Sequence, residues 1–162
     1  MEKLWAPWRV EYIRNPGKGC FLCKALKHRN PKEVLIIEKR EKAFTIMNRY
    51  PYNNGHIMVA PIRHIGSLEH LNDDEILELN CLLVRAMKAI NSVMKSQGFN
   101  IGINQGKVAG AGVIDHIHIH LVPRWQGDTN FMPILTDTKL ISEALSETYD
   151  KIKQGLKKLD NP

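Results

Sequence analysis

The chain reads as α+β, an antiparallel sheet covered on one face by helices. Three observations predict this. Short apolar, β-branched runs follow one another with only brief polar connections, which suits antiparallel neighbours. Two long segments instead repeat their apolar residues every three or four positions, the period of a helix. His116 to Val122 alternates His with Ile, Ile and Leu, the period of a strand with one apolar and one polar face.

In chain order, residues 1–19 hold Trp5, Trp8 and the Asn15-Pro16-Gly17 turn, and read as an irregular arm laid against the domain. The two tryptophans read as packing anchors, with stacking on a nucleobase as the competing role. Cys20 to Arg29 carries Cys-x-x-Cys and a short helical stretch ended by Asn30-Pro31. Val34–Ile37 and Ala43–Met47 form two strands, with polar Glu38–Lys42 as the hairpin loop. The turn formers Pro51 to Gly55 lead into a strand over His56–Pro61. Asn72 with Glu75 three residues on is a helix start, and Ile76, Leu79, Leu83, Met87, Ile90 and Met94 carry a long amphipathic helix toward Gln97. Within it, Cys81 reads as an inert packed or half-exposed thiol. Gly98–Asn104 is a strand, and the glycine-rich 106–112 loop leads to the histidine strand. After it, Gly127–Pro133 is a loop with Phe131 and Met132 as packing residues. Ile141, Leu145, Tyr149, Ile152, Leu156 and Leu159 mark a second helix over Asp137–Leu159. The expected organisation is an arm (1–19), a core (20–136) and a C-terminal helix (137–162) packed on the same domain, with no internal repeat.

A chain of 162 residues with 43% hydrophobic and 25% charged residues suits one soluble globular domain. It has no 18-residue apolar run and no basic-then-apolar leader, so the expected location is the cytoplasm and no membrane partner is expected. Three cysteines argue against a secreted disulfide framework, and Cys20/Cys23 point to metal or redox chemistry. A net charge of +6 favours anionic ligands, and equally serves solubility. The basic residues form no stripe interleaved with aromatics, so nucleic acid is not an expected partner.

The strand pattern places His116, His118 and His120 on one face, same-face neighbours being roughly 6.5 to 7 Å apart. A neutral imidazole can be nucleophile, proton donor or acceptor, or metal ligand. Three in register point to binding or reaction, and the central His118 is the candidate nucleophile. The glycines at 106, 110 and 112 can bring backbone N–H groups to an anion just before it.

His116-Ile117-His118-Ile119-His120-Leu121-Val122 resembles the signature of the HIT (histidine triad) superfamily, nucleotide hydrolases and transferases acting at phosphorus. The flanking Pro123–Pro133 and Leu4–Arg9 stretches are similar to its bacterial diadenosine tetraphosphate (Ap4A) phosphorylase branch, and the likeness covers almost the whole chain. The resemblance implies a five-stranded sheet with two main helices, a HIT-like fold, and usually a homodimer.

It also implies roles. His118 would form a covalent nucleotidyl-imidazole intermediate. His120 would contact the phosphate or leaving oxygen, and His56 matches the family's fourth histidine, although a capped strand-start histidine is a competing reading. Asn48 matches the ribose-binding asparagine, with Ile46 and Met58 part of an apolar base pocket or plain core. Asn104 matches the amide near the scissile phosphate or simply ends a strand; Gly110 and Gly112 would line the phosphate loop. The family's first histidine, matched by His116, usually supports the nucleophile by hydrogen bonding, but in related members with an N-terminal Cys-x-x-Cys it is a zinc ligand, which implies a structural zinc on Cys20, Cys23, His64 and His116. A redox pair and two packed thiols compete with it, and no organic cofactor is implied. Many members carry Ser or Thr where Val113 stands, so the hydroxyl that assists the leaving group is missing here.

The leading expectation is a nucleotidyl transferase or hydrolase that cleaves Ap4A at the α-phosphate, with phosphate preferred over water as acceptor. A nucleoside phosphoramidate or adenylyl-conjugate hydrolase is the second reading. A nucleotide-binding, zinc-stabilised interaction module is the non-enzyme alternative.

Overall fold

The computed structural model describes residues 19–128 and 143–161. Trp5, Trp8, Phe131, Met132 and residues 137–142 of the expected C-terminal helix lie outside them, and Glu143 and Ala144, expected within that helix, precede its start at Leu145. Five strands, β1 (Ile36–Lys39), β2 (Ala43–Met47), β3 (Ile57–Pro61), β4 (Gly98–Ile103) and β5 (Ile119–Arg124), form one sheet. Their order is β1-β2-β3-β5-β4 and every neighbouring pair is antiparallel. The helices are α1 (Phe21–Lys27), α2 (Asp73–Met94) and α3 (Leu145–Asp160). The α+β fold expected from the sequence is the fold observed.

Three strand starts differ from the expectation; β3 opens at Ile57, one residue after His56. β1 begins at Ile36 because Leu35 is in the left-handed region at φ 63°, closing a turn in which the Ile36 N–H donates to the Pro31 carbonyl. β5 begins at Ile119. In the register that pairs Val59 with Ile119, Pro61 would face Ile117 and has no N–H to offer. The Ile117 N–H instead donates to the Ile65 carbonyl at 2.7 Å. His116, in a bend, and His118 therefore sit just ahead of the ladder.

α2 starts with a capping box. The Asn72 side chain accepts from the Glu75 N–H, and the Glu75 carboxylate accepts from the Asn72 N–H. The helix ends at Met94, three residues short of the expected Gln97, because Lys95 caps it in the left-handed region at φ 53°. Leu79, Leu82, Leu83, Ala86 and Ile90 face inward, and Cys81, off that stripe, is exposed rather than packed.

The alternation of the strands builds two cores. Ala43, Met47, Ile57, Val59, Ile119 and Leu121 pack against α2 and against Tyr149, Ile152 and Leu156 of α3. Phe44, Ile46, Met58 and Ala60 point to the opposite face, where Leu22 and Ala25 of α1 cover part of it. The two long helices thus share one face as expected, and the short α1 takes the other. α2 and α3 approach closely at Gly155, where a Cβ would lie 2.5 Å from the Ala89 carbonyl oxygen.

The face shared with α1 is the histidine face. Ile46 pairs with Met58, Met58 with His120 and His120 with Gly102, one row running across four strands. Paired residues point to the same side of a sheet, so an apolar floor leads directly to the imidazoles.

Candidate functional site

The triad divides between two sites. His116 is fully buried, and its Nε2 lies 2.8 Å from the Pro61 carbonyl oxygen. A carbonyl can only accept, so Nε2 carries the proton and Nδ1 the lone pair. That Nδ1 faces Cys20 Sγ at 3.3 Å, Cys23 Sγ at 3.5 Å and His64 Nδ1 at 3.3 Å. Cys23 Sγ is also 3.3 Å from His64 Nδ1.

The four ligand atoms all lie within 4.8 Å of one another, and this donor set can hold a metal ion. Around tetrahedral zinc, bond lengths of about 2.05 Å to nitrogen and 2.3 Å to sulfur give edges of about 3.3 Å between nitrogens and 3.6 Å between nitrogen and sulfur. The donor set fits that shape, and the Pro61 carbonyl supplies the outer hydrogen bond that orients a metal-binding histidine. Burial and the neighbouring Cys20 thiol push the Cys23 thiol up from its usual value. A divalent cation reverses that preference.

Local structure assembles these ligands. Cys20 caps α1, its Sγ accepting from the Cys23 N–H, so the Cys-x-x-Cys wraps the first turn. Arg63, beside His64, donates through Nε and Nη2 to the Glu75 carboxylate at 2.9 and 2.7 Å. This ion pair ties the His64 segment to the start of α2 and holds the Glu75 carboxyl at about 2.

His118 belongs to the second site. Its Nδ1 lies 2.9 Å from the His116 carbonyl oxygen, so Nδ1 donates and Nε2 keeps the lone pair. Burial holds its imidazole below the usual value, against the opposing pull of that carbonyl. The ring meets His120 edge-on, with centroids 4.9 Å apart. His120 Nδ1 is 2.9 Å from Nε2 of His56, which is fully buried. The structure therefore brings together His56, His118 and His120, and assigns His116 to the cysteines.

Along the same face, a cavity of about 210 Å³ opens between α1 and β2. Ile46, Met47, Leu35 and Val34 form one side, and Phe21, Ala25, Lys24 and His28 of the α1 region another, with Arg49 at its edge. Ile46 is in this lining, whereas Met58 is buried beside it in the same core cluster. Asn48 follows β2, with its N–H on the His56 carbonyl and its side-chain oxygen accepting from the Tyr50 N–H. Asn104 comes one residue after β4 and, by the register that pairs Ile103 with Ile119, lies across from His118. Gly110, at φ 86°, and Gly112 sit on the exposed loop before the triad. A larger groove of about 520 Å³, on the outer side of α2 by Arg40 and Arg85, contains no histidine.

Sequence reasoning did not find the walls that α1 lends to the cavity. Lys24, Ala25 and His28 carry no motif, and only the folding of α1 onto the sheet gives them a common boundary. It also did not single out Asp128, which accepts from Arg124, Asn53 and the Trp125 N–H. Its offset of four residues from Arg124 was the available signal.

Residues 27–127 match the HIT domain family. The chain is 34% identical over 157 residues to the AP-4-A phosphorylase of Mycobacterium tuberculosis, covering 91% of this chain and 80% of that protein. It is 25% identical over 147 residues to an adenosine 5'-monophosphoramidase of Candida albicans, covering 88% and 95%. Among solved structures, a Zn-bound histidine triad family protein from Mycobacterium smegmatis superposes with a TM-score of 0.71 at 25% identity, covering 88% of this chain and 96% of that one. By its domain match, its relatives and its fold, this chain is an enzyme of the HIT domain family.

Proposed function

We propose that the protein cleaves dinucleoside polyphosphates, diadenosine tetraphosphate above all, by nucleotidyl transfer through His118. The observation that carries this reading is the His118 Nδ1 contact with the His116 carbonyl, which keeps the Nε2 lone pair available in a buried, neutral ring. In the first step Nε2 attacks the α-phosphorus and a P–N bond forms. The bond to the bridging oxygen breaks, and the nucleoside triphosphate leaves as its anion, the charge developing on that oxygen met by a hydrogen bond from His120. In the second step an oxygen of inorganic phosphate attacks the same phosphorus, the P–N bond breaks, and ADP leaves. With water in that role the product is AMP.

The row Ile46–Met58–His120 spans two inter-strand steps, roughly 10 Å. That separation suits a base in the α1–β2 cavity, ribose at Asn48 and α-phosphate at His118. Asn104 and the backbone at Gly110 and Gly112 then face the phosphates. The identity to the mycobacterial phosphorylase favours phosphate as acceptor.

We further infer a structural zinc on Cys20, Cys23, His64 and His116. Two thiolates and two neutral imidazoles leave no ligand position open for substrate. The site joins α1, which lines the cavity, to the strand that carries the nucleophile. A homodimer would use the edge strand β4, where Ile101 is 49% exposed. No described helix is long and apolar enough to cross a membrane, and a reducing cytoplasm suits the paired thiols.

The test is a product assay on diadenosine tetraphosphate with and without phosphate. ADP plus ATP formed only with phosphate supports a phosphorylase, and AMP plus ATP in both conditions makes it a hydrolase. The similarity to the Candida albicans phosphoramidase favours a second reading, phosphoramidate hydrolysis. Turnover of adenosine 5'-phosphoramidate far faster than of the dinucleotide would select it.

A further inference from the structure

A neutral His120 can donate a hydrogen bond toward a leaving oxygen only if its proton sits on Nε2, and residues outside the histidine set decide that. The main-chain N–H of Tyr52 points at Nδ1 of His56, 3.1 Å away. An amide N–H only donates, so Nδ1 accepts and the proton of neutral His56 is on Nε2. That Nε2 lies 2.9 Å from Nδ1 of His120 and donates to it. The proton of neutral His120 is then on its own Nε2. One backbone amide thus sets two tautomers in series. The opposite arrangement would set the Tyr52 N–H against a protonated His56 Nδ1.

The amide itself is held from two sides. The Tyr52 ring stacks on His56, with centroids 4.6 Å apart and planes at 29°. The next residue, Asn53, is buried and donates through Nδ2 to the Pro123 carbonyl at 3.0 Å and to Asp128 Oδ2 at 2.9 Å. Asp128 also takes both arms of the Arg124 guanidinium, at 2.6 and 2.8 Å, and the Trp125 N–H at 3.0 Å. The turn carrying Tyr52 is therefore clamped to the end of β5, the strand carrying His120. Asn53 and Asp128 fix the distance between the donor amide and the ring pair it controls.

We propose that the Tyr52 amide, clamped by Asn53 and Asp128, is a positioning element that locks His56 and His120 as Nε2–H tautomers. That the resulting His120 donor serves the leaving oxygen rests on the nucleotidyl-transfer reading above. The tautomer lock does not, and its test uses no substrate.

The test is a long-range ¹⁵N–¹H correlation spectrum of the ¹⁵N-labelled full chain at about pH 8.5, where ordinary imidazoles are neutral. The expected result is a pyridine-like Nδ1 and a protonated Nε2 on both His56 and His120. A His120 protonated at Nδ1 in the wild-type protein overturns the proposal without any variant. Tyr52→Pro removes the donor, and a second tautomer of His56 and His120 then becomes populated, while Tyr52→Phe keeps the amide and the wild-type pattern. Turnover of the proline variant falls by about three- to tenfold in kcat with KM little changed. A folded Tyr52→Pro protein with the wild-type tautomers also overturns it. Failure of the turnover assay on every nucleotide would count against the proposed reaction alone, because the tautomers are read from the spectrum of the substrate-free protein.

Discussion

The Nδ1 of His118 and the carbonyl oxygen of His116 lie 2.9 Å apart, so the residue that faces the cysteines also aims the candidate nucleophile. The His116 side chain points its Nδ1 at the Cys20/Cys23/His64 cluster while its main chain fixes the tautomer of the next histidine on that face.

The first consequence concerns His118. His118→Ala lowers turnover of the nucleotide substrate by about 10⁴-fold or more, as expected when a covalent step is lost. Nucleotide affinity measured by calorimetry stays within about threefold, because the cavity between α1 and β2 is untouched. A near wild-type rate would place the nucleophile elsewhere.

The proposed metal site predicts stoichiometry and stability. Elemental analysis of the purified protein finds about one zinc per chain, and Cys23→Ser or prolonged chelation removes it. The melting temperature then drops by about 10 °C or more, since α1 loses its tie to the histidine segment. Equal thermal stability with and without metal would argue for packed thiols instead.

The Arg63–Glu75 pair predicts a pH dependence with a definite sign. Its partner and the Asn72 N–H hold the Glu75 carboxyl at about 2, well below the usual carboxylate value. A depressed folded-state pKa contributes stability that is fully present above the unfolded value and is lost as pH falls toward 2. Allowing for the half-exposed Arg63, the contribution is about 2 kcal/mol. In urea titrations Glu75→Gln should trail the wild-type protein by that amount at pH 7, and the gap should narrow by pH 3. A constant gap would show that the loss does not come from the charge on the carboxylate.

Gly155 predicts a packing effect far from the histidines. A Cβ there would meet the Ala89 carbonyl oxygen at 2.5 Å and the Ser92 hydroxyl at 3.0 Å. Gly155→Ala should destabilise the fold by about 1 to 3 kcal/mol, despite alanine's better helix propensity. Chemical denaturation measures it, and a stabilised variant would show that α2 and α3 can separate without cost.

Much of this protein was legible in its sequence because the signals are local. The period of two at His116–Val122, the period of three to four in α2 and α3, and the Asn72/Glu75 cap each depend on neighbours along the chain. The Cys-x-x-Cys and the two further ligands were named from residue type and family resemblance, and the fold brings all four within 4.8 Å. Tertiary structure decided the rest. Only the sheet order places Ile46, Met58 and His120 in one row, and only the docking of α1 gives the cavity its second wall. Pro61, lacking an N–H, shortens the triad strand and separates the role of His116 from that of His118. The tautomers of His118, His56 and His120 follow from a carbonyl and an amide brought to them by folding, because which nitrogen carries a proton is set by the partner it faces.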